Sequence, residues 1–383
     1  MPPTFPDFDA AAAWLDAWLV EAALPLWASA GVDPALGGFQ EALTVEGAPW
    51  PGPRRSRVQS RQIWVYARAA AAELGEAYGR LAQEAYALYR VRYRRADGLF
   101  VRAADAGGVV VDPAAALYEQ AFSLLAMAAL EARAPGRFGA EAEALALALE
   151  PARHSAGGFR EIGDQPFQAN AQMYLLEAAL AWEDVAPPAQ AGVWRALADE
   201  VAGLALARFV DPASGVLREF FDAGWRALDD RAGGLVEPGH QFEWAWLLER
   251  WSRARGRDDA RAAARRLYAA GLAGVDPALG VAINAVWSDL APRDTATRLW
   301  AQTEYLKAAL TFGDAVQALR AAQGLALYLQ TPCRGTWRDK LRPDRSFVEE
   351  PAPATSFYHL VGAILPLREA CLRGASPRRG GGA

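Results

Sequence analysis

The chain has 383 residues, 52% hydrophobic and 22% charged, a balance that builds a large core and excludes a disordered chain. A net charge of -5 with scattered basic residues excludes nucleic acid as the main partner, because phosphate backbones call for a basic stripe. Cys333 and Cys371 give neither a disulfide framework nor a zinc spacing, and Glu119 and Gln120 interrupt the most apolar window, so a soluble cytoplasmic protein outside the membrane is expected.

Apolar residues recur at helical spacing and predict twelve helices in chain order. The first covers roughly 7–30, with Asp7 as its N-cap and no basic leader before it. A long loop to 56 follows and carries Arg54, Arg55 and Arg57, a basic run expected to lie in solvent. Helices at roughly 57–76 and 78–95 lead into a loop where Leu-Phe-Val-Arg, Ala-Gly-Gly and Val-Val-Val predict a hairpin. Asp112 and Pro113 suit the start of the next helix, roughly 113–133, followed by one at 138–150. The loop after it holds His154, expected to be an exposed surface residue. Helices at roughly 167–184 and 188–209 come next, then a loop with strand-like pieces at 215–228. Pro238 opens a helix at roughly 238–255, and helices at 257–274, 294–312, 313–330 and 354–372 complete the set. Residues 374–383, rich in Gly, Arg and Pro, read as a flexible tail, and residues 1–373 as a single domain.

The connections carry the topology. Loops after the odd-numbered helices are long and those after the even-numbered helices are short. Antiparallel neighbours place alternate loops at opposite ends, so the long loops all gather at one end. Six such helical hairpins close into two concentric rings, an all-α (α/α)6 barrel, with an open superhelix as the alternative. The unit is about 60 residues long with little obvious internal identity. The starts of the even-numbered helices then face one pocket, the usual place for a site on a rigid scaffold.

Two of the three histidines fall there. His240 stands in Glu-Pro-Gly-His-Gln-Phe-Glu-Trp and His359 in Ala-Pro-Ala-Thr-Ser-Phe-Tyr-His-Leu. Imidazole both takes and gives a proton near neutral pH, so a pair reaching a bound sugar from opposite sides suits proton removal and return. Glu243, three residues after His240, is placed to orient the ring or hold a hydroxyl; its alternative is an ordinary ion-pair partner. Two histidines without a tight cluster of His, Asp and Glu fall short of a catalytic metal set, and Glu237 is the only candidate to join them. Arg61 suits a developing oxyanion. Tyr118, Asn170, Gln172 and Glu304 are polar residues at helix starts that either meet substrate or belong to structural networks. Trp300 and Trp337 offer flat faces to a sugar ring, with core packing as the alternative. No phosphate loop, dinucleotide fingerprint or nucleophile turn is present.

At these residues the chain resembles the N-acylglucosamine 2-epimerase superfamily, which includes mannose isomerases and cellobiose 2-epimerases. The matching stretches are 61–68, 118–125, 170–178, 237–248, 298–307 and 335–360. The resemblance implies an (α/α)6 barrel and proton transfer through an enediol or enediolate, without metal or other cofactor. It makes His240 and His359 the catalytic pair, Arg61 the arginine beside the reacting oxygens and Glu243 the acid beside the first histidine. It implies a monosaccharide substrate, most simply mannose giving fructose or glucose, and a monomer or homodimer. N-acylhexosamine or disaccharide 2-epimerisation is a variant of the same chemistry. A glycoside hydrolase using Glu119 and Asp339, or a non-catalytic sugar- or protein-binding scaffold, are the competing readings. One departure stands out. Many family members carry one or two histidines in an Asn-x-His-Met-His type of segment, where this chain has Asn170, Ala171, Gln172, Met173 and Tyr174.

Overall fold

The computed structural model describes residues 4–228 and 234–372. The expected tail at 374–383 lies outside them. All twelve helices are present. α1 runs from Phe8–Trp18 through a π turn at Leu19–Ala23 into Leu24–Ser29. α2 is Ser56–Ala71, α3 Glu76–Tyr93, α4 Leu117–Arg133, α5 Gly139–Ala148 and α6 Ala169–Val185. α7 is Ala191–Leu204, extended by a π turn, α8 Pro238–Arg255 and α9 Asp258–Ala273. α10 is Leu299–Thr311, α11 Ala315–Tyr328 and α12 Phe357–Leu372.

Asp7 caps α1, its Oδ1 accepting from the Ala10 N–H at 2.9 Å, and Pro238 opens α8. Asp112 and Pro113 do not start α4. Asp112 belongs to the strand Val110–Asp112, paired with Ala103–Ala104, and the helix begins at Leu117. There Glu161, from the following long loop, caps the Leu117 and Tyr118 N–H groups at 2.9 Å each. α10 also starts later than its periodicity predicts, because Pro292–Arg298 pairs as a strand with Ile283–Trp287.

The even-numbered helices form the inner ring in the order α2, α4, α6, α8, α10, α12, with α12 back against α2. Their burial gives them away. α8 buries every residue from Pro238 to Glu249, whereas outer α3 buries one stripe through Ala82, Tyr86, Tyr89 and Tyr93. A helix apolar all round belongs inside, and one with a single stripe belongs on the outside. No described helix is long and apolar enough to cross a membrane.

The expected lack of internal identity is corrected by the loops. Val-Asp-Pro-Ala-Leu-Gly at 32–37 and 275–280 and Val-Asp-Pro-Ala-Ser-Gly at 210–215 form the same turn after α1, α9 and α7. In each, the aspartate Oδ1 accepts from the next two free N–H groups, and the glycine takes a positive φ between 68° and 75°. A glutamine of the following inner helix then clamps the N–H and C=O of one residue beyond the turn. Gln59 holds Phe39, Gln120 holds Phe100, Gln172 holds Phe159, Gln241 holds Leu217 and Gln302 holds Ala282. Two primary-amide hydrogen bonds per clamp satisfy buried backbone that no helix or sheet serves.

The loops also reach sideways. The backbone C=O of Arg102, Glu219 and Asp339 accepts from the first N–H of the preceding inner helix, at Ser56, Ala169 and Leu299. The Glu41 C=O does the same for Ala354, at 3.0 Å, so the first loop serves the last inner helix and the ring is closed. The pairing of Ala42–Leu43 with Ala352–Pro353 reinforces that seam.

Candidate active site

The clamp sets the register of the inner ring. Two residues after each clamping glutamine stand Arg61, Phe122, Tyr174, Glu243 and Glu304, and His359 takes the matching place on α12. Two residues before stand Arg57, Tyr118, Asn170, Gly239 and Trp300, with Thr355 in the sixth place. From these two tiers Arg57, Arg61, Tyr118, Asn170, Tyr174, Trp300, Thr355 and His359 line a cavity of about 330 Å3 at the long-loop end.

His240 and His359 both line it. They come from α8 and α12 with α10 between them, so they flank Trp300 and do not face each other across the barrel. The Trp300 ring centroid lies 5.1 Å from His240 and 5.9 Å from His359. Gly239 makes room for that indole, since a Cβ there would fall 2.5 Å from it.

The two imidazoles sit in opposite electrostatic settings. Burial opposes charge on His240, but Glu219 at 2.9 Å and Glu237 at 3.8 Å from Nδ1 outweigh it and lift its pKa to about 10. Burial pushes His359 the other way, to about 4, with Arg61 and Lys307 adding to the effect and Glu304 only partly opposing it. At neutral pH His240 is therefore an imidazolium and His359 a neutral base. The His359 Nδ1–H donates to Glu304 Oε1 at 2.9 Å, which leaves Nε2 with a free lone pair.

Beneath the cavity lies a second polar layer. Glu304 Oε2 accepts from Lys307 Nζ and Trp246 Nε1, each at 2.9 Å. Burial works against its charge, yet Lys307 and His359 hold its pKa at about 2. Glu243 is driven the opposite way by burial and by the neighbouring Glu304 and Glu177, well above the usual carboxylate range. Its Oε2 lies 3.5 Å from the Tyr174 hydroxyl, and its Oε1 has no hydrogen-bond partner among the described residues.

Arg61 lines the cavity as a fixed cation. Nη1 donates to the Thr355 carbonyl at 3.1 Å and to its hydroxyl, Nη2 donates to the Tyr118 hydroxyl at 2.7 Å, and the guanidinium lies 4.0 Å from the Phe122 ring centre. Asn170 faces the same space with a buried Oδ1 that no described group satisfies.

Six of the residues singled out from sequence thus meet at one cavity: Arg61, Tyr118, Asn170, His240, Trp300 and His359. Four do not line it. Gln172 is spent on the Phe159 clamp. Trp337 is wholly buried, stacked at 4.6 Å on Trp27 and edge-on to Trp18, so core packing claims it. Glu243 and Glu304 lie in the layer below, where they address Tyr174 and His359. The basic run is also corrected. Arg54 is buried on Asp33, while Arg55 and Arg57 line the cavity rim, paired with Glu41 and Glu119. His154 is half-buried, edge-on to Phe167 and Trp225. Glu119 is buried beside Arg57 and is not a wall of the cavity, so it does not flank a cleft with Asp339.

Residues that sequence reasoning missed are Glu219, Arg298, Thr355 and Lys307. Glu219 had a usable signal. It stands two residues after the clamped Leu217, as Glu41 and Glu161 do after Phe39 and Phe159. Glu243, Glu304 and His359 place possible metal-ligand atoms within 4.8 Å of one another. That set is chemically committed elsewhere, since both oxygens of Glu304 already accept from His359, Lys307 and Trp246 and the Lys307 ammonium already sits against its carboxylate.

The fold is an (α/α)6 barrel whose inner ring carries one cavity lined by two histidines, an arginine and an aromatic wall. The model of the N-acylglucosamine 2-epimerase (GlcNAc 2-epimerase) family matches residues 37–363, and the chain belongs to that family. It is 43% identical over 378 residues to a mannose-6-phosphate isomerase of Rhizobium meliloti (strain 1021), covering 94% of this chain and 97% of the relative. Among solved structures, a D-mannose isomerase superposes with a TM-score of 0.85 at 20% identity, covering 96% of this chain and all of that one (100%). A cellobiose 2-epimerase from Bacillus thermoamylovorans B4167 superposes with a TM-score of 0.81 at 16% identity, over 94% and 99% of the two chains.

Proposed function

We propose that this cavity moves a proton at C2 of an open-chain hexose, and that its preferred reaction interconverts mannose with fructose, glucose or both. The chain is a sugar isomerase or 2-epimerase, in keeping with its family and with its 43% identical relative. The observation that carries the finer reading is the pair of histidines on one cavity in opposed settings, His240 against the carboxylates of Glu219 and Glu237 and His359 buried near Arg61 and Lys307.

The reaction runs from the linear aldehyde. His359 Nε2 removes the C2 proton. The C2–H electron pair becomes a C1–C2 double bond, and the carbonyl oxygen takes the negative charge. Arg61, already fixed by Thr355 and Tyr118, holds that oxygen without reorganising. Protonated His240, oriented by Glu219, then returns a proton to C2 from the other face, which gives the epimer. For the ketose, His359 returns its proton to C1 instead, while His240 gives a proton to O1 and takes one from O2. Trp300 gives the sugar an apolar face to rest on. No step calls for a metal.

The rim favours an unmodified sugar. Arg55 and Arg57 are already matched to Glu41 and Glu119, and Arg298 faces the charge of Glu237 and Asp339. These carboxylates offset part of the positive charge that a phosphate would call for. Both cysteines are unpaired, which suits a reducing compartment such as the cytoplasm.

Incubation with mannose, followed by NMR, is expected to yield fructose, glucose or both, with mannose 6-phosphate turned over poorly. His240→Ala and His359→Ala should each lower kcat by roughly a hundred- to ten-thousand-fold with the helical CD signal intact. Neither product from mannose, other hexoses or N-acylhexosamines would refute the activity. An unchanged rate in either variant removes that histidine from the mechanism.

A further inference from the structure

A second cavity, of about 240 Å3, lies at the other end of the inner ring. All six inner helices line it, among them Trp64 of α2, Ala128 of α4, Glu177 of α6, Trp246 of α8, Lys307 of α10 and Gly362 of α12. It reaches solvent past Arg250 and Asp184, whose side chains are 35% and 69% exposed. Lys307 spans from this cavity to the underside of the active site. Its Nζ sits 2.9 Å from Glu304 Oε2 and 4.0 Å from the Trp246 ring centre, with its side chain 11% exposed.

We propose that Lys307 is a positioning residue for the proposed base. From the short-loop end it holds Glu304 as a carboxylate, and Glu304 in turn fixes His359 with its proton on Nδ1 and its lone pair on Nε2. This rests on the reading of His359 as the base.

The geometry makes Lys307 necessary. Three carboxyl groups, those of Glu177, Glu243 and Glu304, crowd this layer, and Lys307 is the cation that feels all three. Burial and the neighbouring carboxyl groups already disfavour charge on Glu243 there. Without Lys307, Glu304 faces the same pressure, with only the Trp246 N–H left on Oε2. A protonated Glu304 donates to His359 Nδ1 and no longer accepts from it. The imidazole then switches tautomer, its Nε2 carries the proton, and the base is lost. Lys307 touches no reacting atom and acts only through this chain.

The groups facing His359 set the sign of the pH effect. They are Glu304 and Lys307 of α10, Arg61 of α2, Glu243 of α8 and, beside the ring on α12, Tyr358. Lys307 disfavours charge on the ring. Its removal lets His359 protonate at higher pH, and it lets Glu304 protonate at higher pH too. Both changes move the acid limb of activity toward neutrality.

The test is Lys307→Met, assayed on mannose from acid to alkaline pH. The expected result is an acid limb of kcat/KM displaced by at least a pH unit toward neutrality, a fall in kcat at neutral pH and little change in KM. NMR titration of the His359 ring gives the same displacement without any substrate, so it separates this proposal from the choice of reaction. Should the methionine variant fold poorly, Lys307→Ala opens the lower cavity to a small amine. Methylammonium should then restore activity saturably and without competing with mannose. An unmoved acid limb and an unmoved His359 titration in Lys307→Met overturn the proposal. So does a folded Lys307→Ala enzyme whose reduced rate ignores methylammonium.

Discussion

His240 and His359 are the same residue type at the same end of the same barrel, yet carboxylates beside one lift its pKa to about 10, and burial, helped by Arg61 and Lys307, holds the other at about 4. The proposed reaction starts with His359 neutral and His240 protonated. Activity measured as kcat/KM should therefore hold across neutral pH. It should fall in acid as His359 gains a proton and fall again in strong alkali as His240 loses one. Glu219→Gln removes the carboxylate closest to His240 and should draw the alkaline limb toward neutrality while leaving the acid limb in place. An alkaline limb indifferent to that substitution would assign it to a different group.

Between the residue and the barrel stands the turn-and-clamp unit. Gln172 tests it, because its position in the family's histidine-bearing segment suggested substrate contact while its side chain is bound to Phe159. Gln172→Ala leaves two buried backbone groups unpaired and should cost about 2–4 kcal/mol of stability in urea unfolding, with KM for mannose unchanged. A raised KM with full stability would return Gln172 to the site. The same unit explains what the sequence disclosed. Helix number, loop alternation and both histidine motifs were legible because apolar periodicity and end-to-end topology are local and additive. The tiers were not, because Gln172 and Tyr174 look alike as polar residues on a buried helix and only the clamp's register tells which one turns outward to the loop. Trp337 failed for a related reason: an indole in a motif region looks the same whether it faces a sugar or, as here, Trp27. The layer below the cavity was also hidden, since Lys307 to Glu304 reads as an ordinary pair three residues apart.

At the scale of the whole molecule, six helix pairs joined in a line would behave as a solenoid, each unit sensing only its neighbours. Closure changes that expectation. α1 packs on α11 and α12, the Glu41 carbonyl accepts from Ala354 N–H, and one hydrophobic core runs from Phe5 to Leu367. Denaturant unfolding should therefore be a single transition, with tryptophan fluorescence and far-UV CD giving coincident curves. Separate midpoints would mean that the pairs melt piecewise and that the seam contributes little.

The sideways reach of the rim loops has a practical outcome for anyone reshaping this enzyme. The segment between α1 and α2 holds its own helix through Gln59 and the start of α12 through Glu41, so it is shared property of two helices distant in the chain. Transplanting one such segment from a relative would leave a bare N–H at the foot of the helix that carries His359. Grafts of single loops should disturb a catalytic group they never touch, whereas exchanging side chains on the inner tiers should alter sugar preference and leave the scaffold alone.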